Sequence, residues 1–342
     1  MKIIVDAMGG DHAPDEIVKG AMLAAEEFGV DIILTGKGEE ILRVIDSMGI
    51  KDLPHGLEIA HASEVVEMED DPAVAVRVKK DSSMTVGLRM LHEGKADAMV
   101  SAGSTGALLS GATLIVKRIR GIRRAAMAPF LPTGDGGVLL VDCGANVECT
   151  PEYLLQFAYM GAYYMESVVG IPDPKVGLLN IGTEDTKGTP LQHEALKLLR
   201  EADKKGDINF IGNVEARDVL FRVCDVVVCD GFSGNILLKG MEGMSLFILK
   251  KLKTVLSAGI RSKIAAALIM GDLREMKSTL DPSEIGGTAL LGISKPVIKA
   301  HGSCDAYALR SSILQAINTV KSGVCADIQD NIDNMKAEPV AF

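Results

Sequence analysis

The chain begins with Lys2-Ile3-Ile4-Val5-Asp6-Ala7-Met8-Gly9-Gly10-Asp11-His12-Ala13-Pro14, an apolar segment that leads into a polar, glycine-containing turn. The apolar residues are typical of a strand buried in a sheet, and the proline stands where a helix would begin. Ligands of open α/β sheets bind beside such turns, at the carboxyl ends of the strands. The glycines admit a ligand close to the backbone, and the N-terminus of a following helix favours an anion. This stretch therefore predicts an α/β fold with a polar site after its first strand; the alternative is a plain turn in which Asp11 caps the helix.

Four further apolar segments end in turns of the same kind, which combine glycine with hydroxyl, amide or carboxylate groups. These turns are residues 101–107, 142–146, 180–188 and 230–235. Helical patterns follow them, and parallel strands place such turns along one edge of a sheet. We therefore predict that the five turns line one polar cleft.

The length of 342 residues and a hydrophobic content of 47% suit a two-lobed α/β protein with a large core. Apolar segments alternate with helical patterns, which predicts an α/β/α sandwich rather than separate helical and sheet regions. No tract has the composition of a linker. We therefore predict a single two-lobed domain over residues 1–325, with the lobe boundary crossed by the sheet, and a weakly ordered tail over residues 326–342.

The charge of the chain argues against nucleic acid as a partner. Its formal net charge is −10, it has no tryptophan, and aromatic residues make up only 4%. It therefore lacks the basic field and the stacking side chains of a nucleic-acid binder. The first residues enter a strand directly and no segment approaches the ~20 apolar residues of a membrane span, so we expect a cytoplasmic protein that could still contact a membrane surface.

Cysteine and carboxylate patterns predict no metal ion and no cofactor. The six cysteines contain no C-x-x-C pair, and only Cys143, in a site-like turn, is a candidate reactive thiol. The turn at 35–38 lacks the third glycine of a dinucleotide fingerprint, and the turn at 182–189 has the P-loop residues in the wrong order. Carboxylates at the predicted edge could hold Mg²⁺, but they come from separate turns and the sequence does not show that they converge. They are Asp6, Asp11, Asp142, Glu184 and Asp230.

Residues 234–280 form one long helical pattern with a break near Ser257-Ala258-Gly259. Apolar residues surround the break, and lysine and arginine residues lie on both sides of it. We predict a protruding helical hairpin with an apolar tip and basic shoulders. Such a segment can lie in a membrane interface, and the same apolar stripe can equally pack into a helical dimer interface.

The polar turns suit phosphate or another small oxyanion. Glycine turns supply backbone N–H groups, and the cationic side chains near predicted strand ends are Lys187, Lys239, Lys299 and His301. No serine, cysteine or metal hydrolase motif occurs. Each lysine alone could also be an ordinary solvated surface residue.

Several of these segments together resemble the bacterial PlsX-type phosphate acyltransferase family, over residues 1 to about 325. The segments are residues 5–14, 101–107, 144–146, 180–188, 210–217, 230–235 and 295–302. The resemblance implies a fold like that of the phosphotransacetylases and the isocitrate/isopropylmalate dehydrogenases, and a homodimer. It implies the reversible reaction of acyl-[acyl-carrier protein] with inorganic phosphate to give acyl phosphate and free carrier protein. The product would then feed a membrane glycerol-3-phosphate acyltransferase in phospholipid synthesis.

The resemblance assigns no catalytic residue, so the roles predicted here come from the turns. The predicted catalytic residues are Asp11, His12, Asn146, Lys187 and His301. The predicted phosphate- and substrate-binding residues are Gly9, Gly10, Ser101, Gly103, Ser104, Thr105, Gly106, Gly144, Asn180, Gly182, Glu184, Gly188, Asp230, Gly231, Ser233, Gly234, Asn235 and Lys299. The carrier protein is acidic, so its predicted docking site is the basic cluster of Arg118, Arg120, Arg123 and Arg124.

Three other functions remain open at this point. A phosphotransacetylase that uses acyl-CoA, or a metal- and NAD-dependent dehydrogenase, could share the fold. The dehydrogenase is disfavoured because the sequence lacks a convincing dinucleotide motif. A non-catalytic adaptor that binds membranes through the hairpin is disfavoured by the five polar turns.

Overall fold

The computed structural model describes residues 1–133, 136–273, 276 and 286–336 as two sheets with helices on their faces. The strands are β1 (Lys2–Asp6), β2 (Asp31–Gly36), β3 (Leu57–His61), β4 (Ala98–Ser101), β5 (Ala126–Ala128), β6 (Phe130–Thr133), β7 (Gly136–Val141), β8 (Lys175–Asn180), β9 (Asn209–Glu215), β10 (Val226–Val228), β11 (Thr288–Leu291) and β12 (Val297–Lys299). The α-helices are α1 (Asp15–Phe28), α2 (Gly38–Ser47), α3 (Pro72–Val78), α4 (Ser83–His92), α5 (Thr105–Gly111), α6 (Pro151–Tyr164), α7 (Pro190–Lys205), α8 (Gly231–Ser257), α9 (Ile260–Leu268), α10 (Ala306–Ser322) and α11 (Val324–Asp330). Helical turns of other types occupy Ala112–Val116, Met165–Val169 and Ala216–Phe221.

The first sheet has seven strands in the order β3-β2-β1-β4-β12-β11-β5. Neighbours from β3 to β12 are parallel, whereas β11 is antiparallel to both β12 and β5. Alternate residues of β1 face opposite layers: Ile3 packs in the cluster of α1 and α10, and Ile4 packs with Leu88 of α4. Burial on both faces explains the continuous apolar run of the sequence.

The second sheet has five strands in the order β6-β7-β10-β8-β9, with only β6 antiparallel to its neighbour. The chain passes into it from β5 through Pro129. That proline has no N–H to donate to a ladder, so pairing is interrupted there. The sequence predicted one sheet across the lobe boundary, whereas the structure has two. Residues 127–129 join them: the Leu140 N–H donates to the Pro129 carbonyl at 3.1 Å, and the Cys143 N–H donates to the Met127 carbonyl at 3.0 Å.

One hydrophobic cluster connects the two lobes. It includes Ile3 from the first sheet, Val141 and Val228 from the second, and Phe157 of α6 between them. The layered α/β/α architecture predicted from the sequence is confirmed.

Two segments differ from the sequence-based expectation. β3 was not predicted, because this strand lies at the edge of the described sheet, beside β2, and carries exposed Glu58 and His61 that weaken its apolar signal. The predicted tail contains most of α11, and Ile328 and Met335 are almost fully buried. These two residues pack on the main core, so the order extends past residue 325; residues 337–342 lie outside the described part of the chain.

The predicted hairpin is formed by α8 and α9, which meet at Ala258 and Gly259 as the sequence suggested. Its stem and tip expose many apolar side chains, among them Phe247, Val255, Ile260 and Leu268. Within the described ranges, no helix has the length and hydropathy of a membrane span. Residues 274, 275 and 277–280 of the predicted hairpin lie outside those ranges.

Candidate active site

Three parallel strands of the first sheet end in a row of polar residues. The register pairs Asp6 of β1 with Ser101 of β4, and Ser101 with Lys299 of β12. The Ser101 hydroxyl donates to the Asp6 carboxylate at 2.7 Å. Burial raises the pKa of Asp6, while its hydrogen bonds with Ser83 and Ser101 oppose that shift. Sheet register alone therefore assembles a carboxylate, a hydroxyl and an ammonium group from residues far apart in the chain.

Lys299 is the main electrostatic feature of this row. Its side chain is nearly buried, at 8% exposure, and its ammonium donates to the carbonyls of Ala102 (3.2 Å) and Ala300. Burial lowers the pKa of Lys299 to about 8, although Cys304, Asp6 and Asp11 favour the charged form. At neutral pH the side chain is a cation held in place by the protein, which is what an anionic substrate requires.

The turns after β1, β4 and β12 pack against each other through glycine. A Cβ atom on Gly9 would lie 2.6 Å from the backbone nitrogen of Gly103, and one on Gly10, whose φ is +107°, would lie 2.9 Å from the Ala102 Cβ. The Asp11 N–H donates to the Gly302 carbonyl at 2.8 Å. Glycine is needed at these positions because the turns lie too close together for a Cβ atom. Without side chains, the backbone of the turns stays accessible at the sheet edge.

Asp142 organises the corresponding edge of the second sheet. Its carboxylate is fully buried and accepts N–H bonds from Met127 (2.8 Å), Cys143 (2.7 Å) and Asn146 (2.6 Å), and from the Asn146 side chain (3.0 Å). Burial raises the pKa of Asp142, and the bond to Met127 is the strongest of those that lower it. The carboxylate thus fixes the turn after β7 and ties it to β5 of the other sheet.

Helix α8 begins directly on this turn. Asp230 caps it by accepting the Ser233 N–H at 2.8 Å, and the Gly231 N–H donates to the Asn146 carbonyl at 2.8 Å. A Cβ on Gly234 would lie 2.0 Å from the Asp142 carbonyl oxygen, so only glycine permits this packing. The contact places the next residue, Asn235, opposite Gly144.

The two sheet edges enclose a cleft of about 630 Å³. Its polar lining from the first sheet consists of Asp11, Thr105, Lys299, His301 and Ser303, with Gly106 beside them. Its lining from the second lobe includes Cys143, Gly144, Asn235, Lys239 and Glu242. Lys239 is close enough to Lys299 that its positive charge contributes to lowering the pKa of Lys299. An anion that bridges the lobes would relieve this repulsion.

His301 lines the cleft, and Ser303 orients its ring. Its Nδ1 accepts the Ser303 N–H at 3.3 Å and lies 2.9 Å from the Ser303 hydroxyl. This arrangement leaves Nε2 as the ring nitrogen that can contact a substrate oxygen. Asp11 does not cap α1, because Pro14 is the cap residue and no side chain bonds there.

The structure separates the predicted site residues into three groups. Those that line the cleft are Asp11, Thr105, Gly106, Gly144, Asn235, Lys299 and His301. Those that lie behind it and support its turns are Gly9, Gly10, Ser101, Gly103, Ser104, Asn146, Asp230, Gly231 and Gly234. Asn146 was predicted to be catalytic, but its buried side-chain amide donates to the Ala125 carbonyl and to Asp142, which makes it a structural residue.

The remaining predicted residues lie away from the cleft. His12 is exposed at the start of α1. Asn180, Gly188 and Ser233 line a separate apolar groove of about 760 Å³ beside α8. Gly182, Glu184 and Lys187 belong to the turn after β8 and line neither cavity. The prediction of one cleft from five turns therefore holds for four of them and fails for this one, because β10 and α8 lie between β8 and the cleft.

The sequence suggested Cys143 as a reactive thiol and several carboxylates as possible Mg²⁺ ligands, and the structure describes the surroundings of both. Burial raises the pKa of the Cys143 thiol to about 12, so it is not an activated nucleophile although it lines the cleft. Asp6 and Asp142 belong to different sheets and are each occupied by hydrogen bonds. In the described part of the chain, no three His, Cys, Asp or Glu residues are grouped to hold a metal ion.

Sequence analysis named Lys239 among the cations that suit phosphate but missed Glu242. They lie one and two turns after Asn235 on α8 and pair with each other at 2.8 Å. Their helical spacing, i+4 and i+7 from a predicted site residue, was the signal that could have placed both at the site.

Comparison with known proteins identifies the family. The family model described as "Fatty acid synthesis protein" matches residues 1–327. The Thermoanaerobacter pseudethanolicus protein named phosphate acyltransferase is 48% identical over 339 residues, which cover 99% of each chain. The Bacillus subtilis protein of the same name is 46% identical over 339 residues, covering 99% of this chain and all of that one. The chain belongs to this phosphate acyltransferase family. It is therefore an acyltransferase of fatty acid and lipid synthesis.

Solved structures agree with the fold of the family. A phosphotransacetylase from Streptococcus pyogenes aligns with a TM-score of 0.63 and 19% identity over 94% of each chain. A 4-hydroxythreonine-4-phosphate dehydrogenase from Klebsiella pneumoniae aligns with a TM-score of 0.55 and 12% identity, covering 94% of this chain and 99% of that one. At these identities the likeness is one of fold, and it confirms the dehydrogenase-like α/β architecture.

Proposed function

We propose that the chain transfers the acyl group of acyl-[acyl-carrier protein] to inorganic phosphate, and that the acyl phosphate is used for phospholipid synthesis. The observation that carries the proposal is the buried Lys299 cation in a cleft between the lobes, in a chain of the phosphate acyltransferase family. Lys239 adds a second ammonium group to the same cleft, where it is paired with Glu242 at 2.8 Å. Lys299, which forms no ion pair with a described carboxylate, is therefore the cation that best suits the charge of phosphate.

The reaction needs positioning more than activation. A phosphate oxygen attacks the thioester carbonyl carbon, and the carbonyl electrons move onto oxygen to form a tetrahedral oxyanion. When this collapses, the carbon–sulfur bond breaks and the thiolate leaves with the electron pair. A thiol has a pKa of about 8.5, so the thiolate departs without strong acid assistance. The Lys299 cation orients phosphate, and His301, when its Nε2 carries a proton, is placed to stabilise developing negative charge.

A direct assay tests this function. Purified protein is incubated with acyl-carrier protein thioester and phosphate, and acyl phosphate is trapped with hydroxylamine. We expect hydroxamate and free carrier protein to form only when phosphate is present. Free carrier protein released without phosphate would indicate a hydrolase and contradict the proposal. Equal use of acyl-CoA would favour the phosphotransacetylase alternative.

The basic segment at residues 117–124 is the proposed docking surface for the acidic carrier protein. Arg120 and Arg123 are exposed and form no ion pair with any described residue, unlike Lys197 and Arg200 of α7. Unpaired cations on a chain of net charge −10 suit an acidic partner. We expect Arg120→Glu/Arg123→Glu to lower kcat/KM for acyl-carrier protein about tenfold at low salt and less at high salt, because exposed charges are screened.

The control for this prediction places the same charge change elsewhere. Arg43→Glu/Lys51→Glu alters exposed residues of α2 and the loop after it, and should leave kcat/KM within twofold. A kcat/KM that does not respond to Arg120→Glu/Arg123→Glu at any salt concentration would place docking on another surface.

The α8–α9 hairpin is the proposed contact with the membrane and with a second copy of the chain. At its tip Val255 is 64% exposed and Ile260 is 80% exposed, with Arg261 and Lys263 beside them. Apolar side chains next to basic ones suit an anionic lipid surface. The exposed apolar stem of α8 suits burial against the same helix of a partner in a homodimer.

We expect Val255→Glu/Ile260→Glu to abolish co-sedimentation with anionic phospholipid vesicles. Thr254→Glu/Ala265→Glu adds equal charge at exposed positions of the same hairpin and is the matched control, which should retain most binding. Circular dichroism and the measured mass in solution show whether folding and assembly survive. Two results would exclude the tip as the lipid contact. One is a double variant that still sediments with vesicles; the other is a double variant that becomes a monomer in solution and loses vesicle binding for that reason.

A further inference from the structure

A second depression, of about 300 Å³, lies next to the cleft. Leu109 of α5 lines both cavities. Two consecutive residues of one turn also connect them, since Gly144 lines the cleft and Ala145 lines the depression. Helix α3 packs against the first turn of α5, since a Cβ on Gly106 would lie 2.8 Å from Pro72. The two cavities are therefore neighbours that share a wall.

Arginine dominates the lining of this depression. Arg77 of α3, Arg118 and Arg124 contribute three cations, and none forms an ion pair with a carboxylate of the described residues. The Arg118 guanidinium donates to the carbonyl of Arg123. The Arg124 guanidinium carbon lies 5.7 Å from the centre of the Tyr153 ring. These contacts hold two guanidinium groups in place without neutralising them, so the depression suits an anion.

We propose that the depression binds the phosphodiester of a phosphopantetheine thioester, the group that carries the acyl chain. The inference rests on the proposed function and names where the donor is held. Guanidinium groups offer paired N–H donors that match phosphate oxygens, and Ser110 and Thr113 line the same depression with hydroxyl groups. From there the pantetheine arm passes Leu109 and brings the thioester to Lys299 in the cleft.

Two donors that differ only in the phosphate test the proposal. Acyl-4′-phosphopantetheine carries the phosphate and acyl-pantetheine lacks it. We expect the wild-type enzyme to prefer the first, and Arg77→Ala to lower that preference, measured as the ratio of the two kcat/KM values, about tenfold. Arg77→Ala/Arg124→Ala should abolish the preference. Arg43→Ala removes an exposed arginine of α2 and should keep the wild-type ratio.

Inorganic phosphate, the acceptor, could occupy the depression instead of the donor's phosphodiester. The KM for inorganic phosphate distinguishes these two occupants. An unchanged KM for inorganic phosphate in Arg77→Ala supports the proposal, whereas a tenfold rise would place the acceptor in the depression and overturn it. An unchanged donor ratio in both arginine variants would also overturn it.

A binding measurement separates this proposal from the proposed function. Calorimetry without turnover should show tighter binding of 4′-phosphopantetheine than of pantetheine, and Arg77→Ala should reduce the difference. If the enzyme makes no acyl phosphate but this difference is present, the proposed function fails and the phosphodiester site stands. If the difference is absent, the site fails whatever the reaction.

Discussion

Replacement of Lys299 by methionine is expected to lower kcat/KM for phosphate by about a hundredfold or more. Methionine keeps the length and apolar character of the buried stem but removes the positive charge that we propose attracts phosphate. It also leaves the carbonyls of Ala102 and Ala300 without their donor. Steady-state assays with phosphate as the varied substrate measure the effect, and thermal unfolding shows how much is due to stability. Lys187→Ala, on the exposed turn after β8, is the comparison and should change kcat/KM less than twofold.

The same side chain predicts a pH dependence. Because burial lowers the pKa of Lys299 to about 8, the ammonium is present below that pH and is lost above it. The KM for phosphate should therefore rise as the pH increases through about 8. Arginine stays charged in this range, so Lys299→Arg should remove this dependence if its side chain is accommodated. A KM for phosphate that is constant from pH 7 to pH 9.5 in the wild type would contradict a role for the Lys299 charge in binding.

Removal of the Asp142 carboxylate is expected to lower the free energy of unfolding by at least about 3 kcal/mol, since several buried N–H groups lose their acceptor. The donors come from Met127 of β5 and from the turn after β7, so the loss affects both sheets at once. Urea denaturation of Asp142→Ala against the wild type measures the change. A second variant, Asp142→Asn, keeps the size and one acceptor oxygen and should be intermediate.

The KM for phosphate shows whether Asp142 only positions the turn or also affects the charge of the cleft. If it only positions the turn, Asp142→Asn should raise the KM for phosphate without altering its pH dependence. A destabilisation below about 1 kcal/mol in Asp142→Ala would show that the turn finds other acceptors and that the described network is not essential.

The sequence predicted the first lobe of the site well because its residues come at the ends of buried strands. Asp6, Ser101 and Lys299 each terminate an apolar run, and parallel pairing brings such ends together. Strand order is not contained in those runs. The turn after β8 has the same composition as the others, yet β10 lies between β8 and β7 and directs that turn to the apolar groove.

Two misassignments and one omission have local physical causes. His12 and Asp11 are adjacent in the chain, but the turn geometry places only Asp11 in the cleft. Asn146 has the composition of a ligand-binding residue, but a buried carboxylate nearby takes its amide as a donor. Glu242 was missed because its place in the cleft depends on the direction of α8, which is set by close packing at Gly234. Side-chain direction and helix direction both depend on tertiary packing.

If the hairpin tip contacts a membrane as proposed, helix α8 also sets the distance between the cleft and the lipid. It contributes Asn235 to the cleft and ends at Ser257, 22 residues later, which at 1.5 Å per residue is a rigid rod of about 33 Å. If the tip rests on a bilayer and α8 stands along the membrane normal, the new acyl phosphate forms about 33 Å from the tip and must cross that distance to reach the lipid. The apolar groove along the other side of α8 extends from the first turn to Ile248 and offers the chain a sheltered route for most of that distance. Lengthening or shortening the rod by whole turns would change the gap that the product must cross without changing either end.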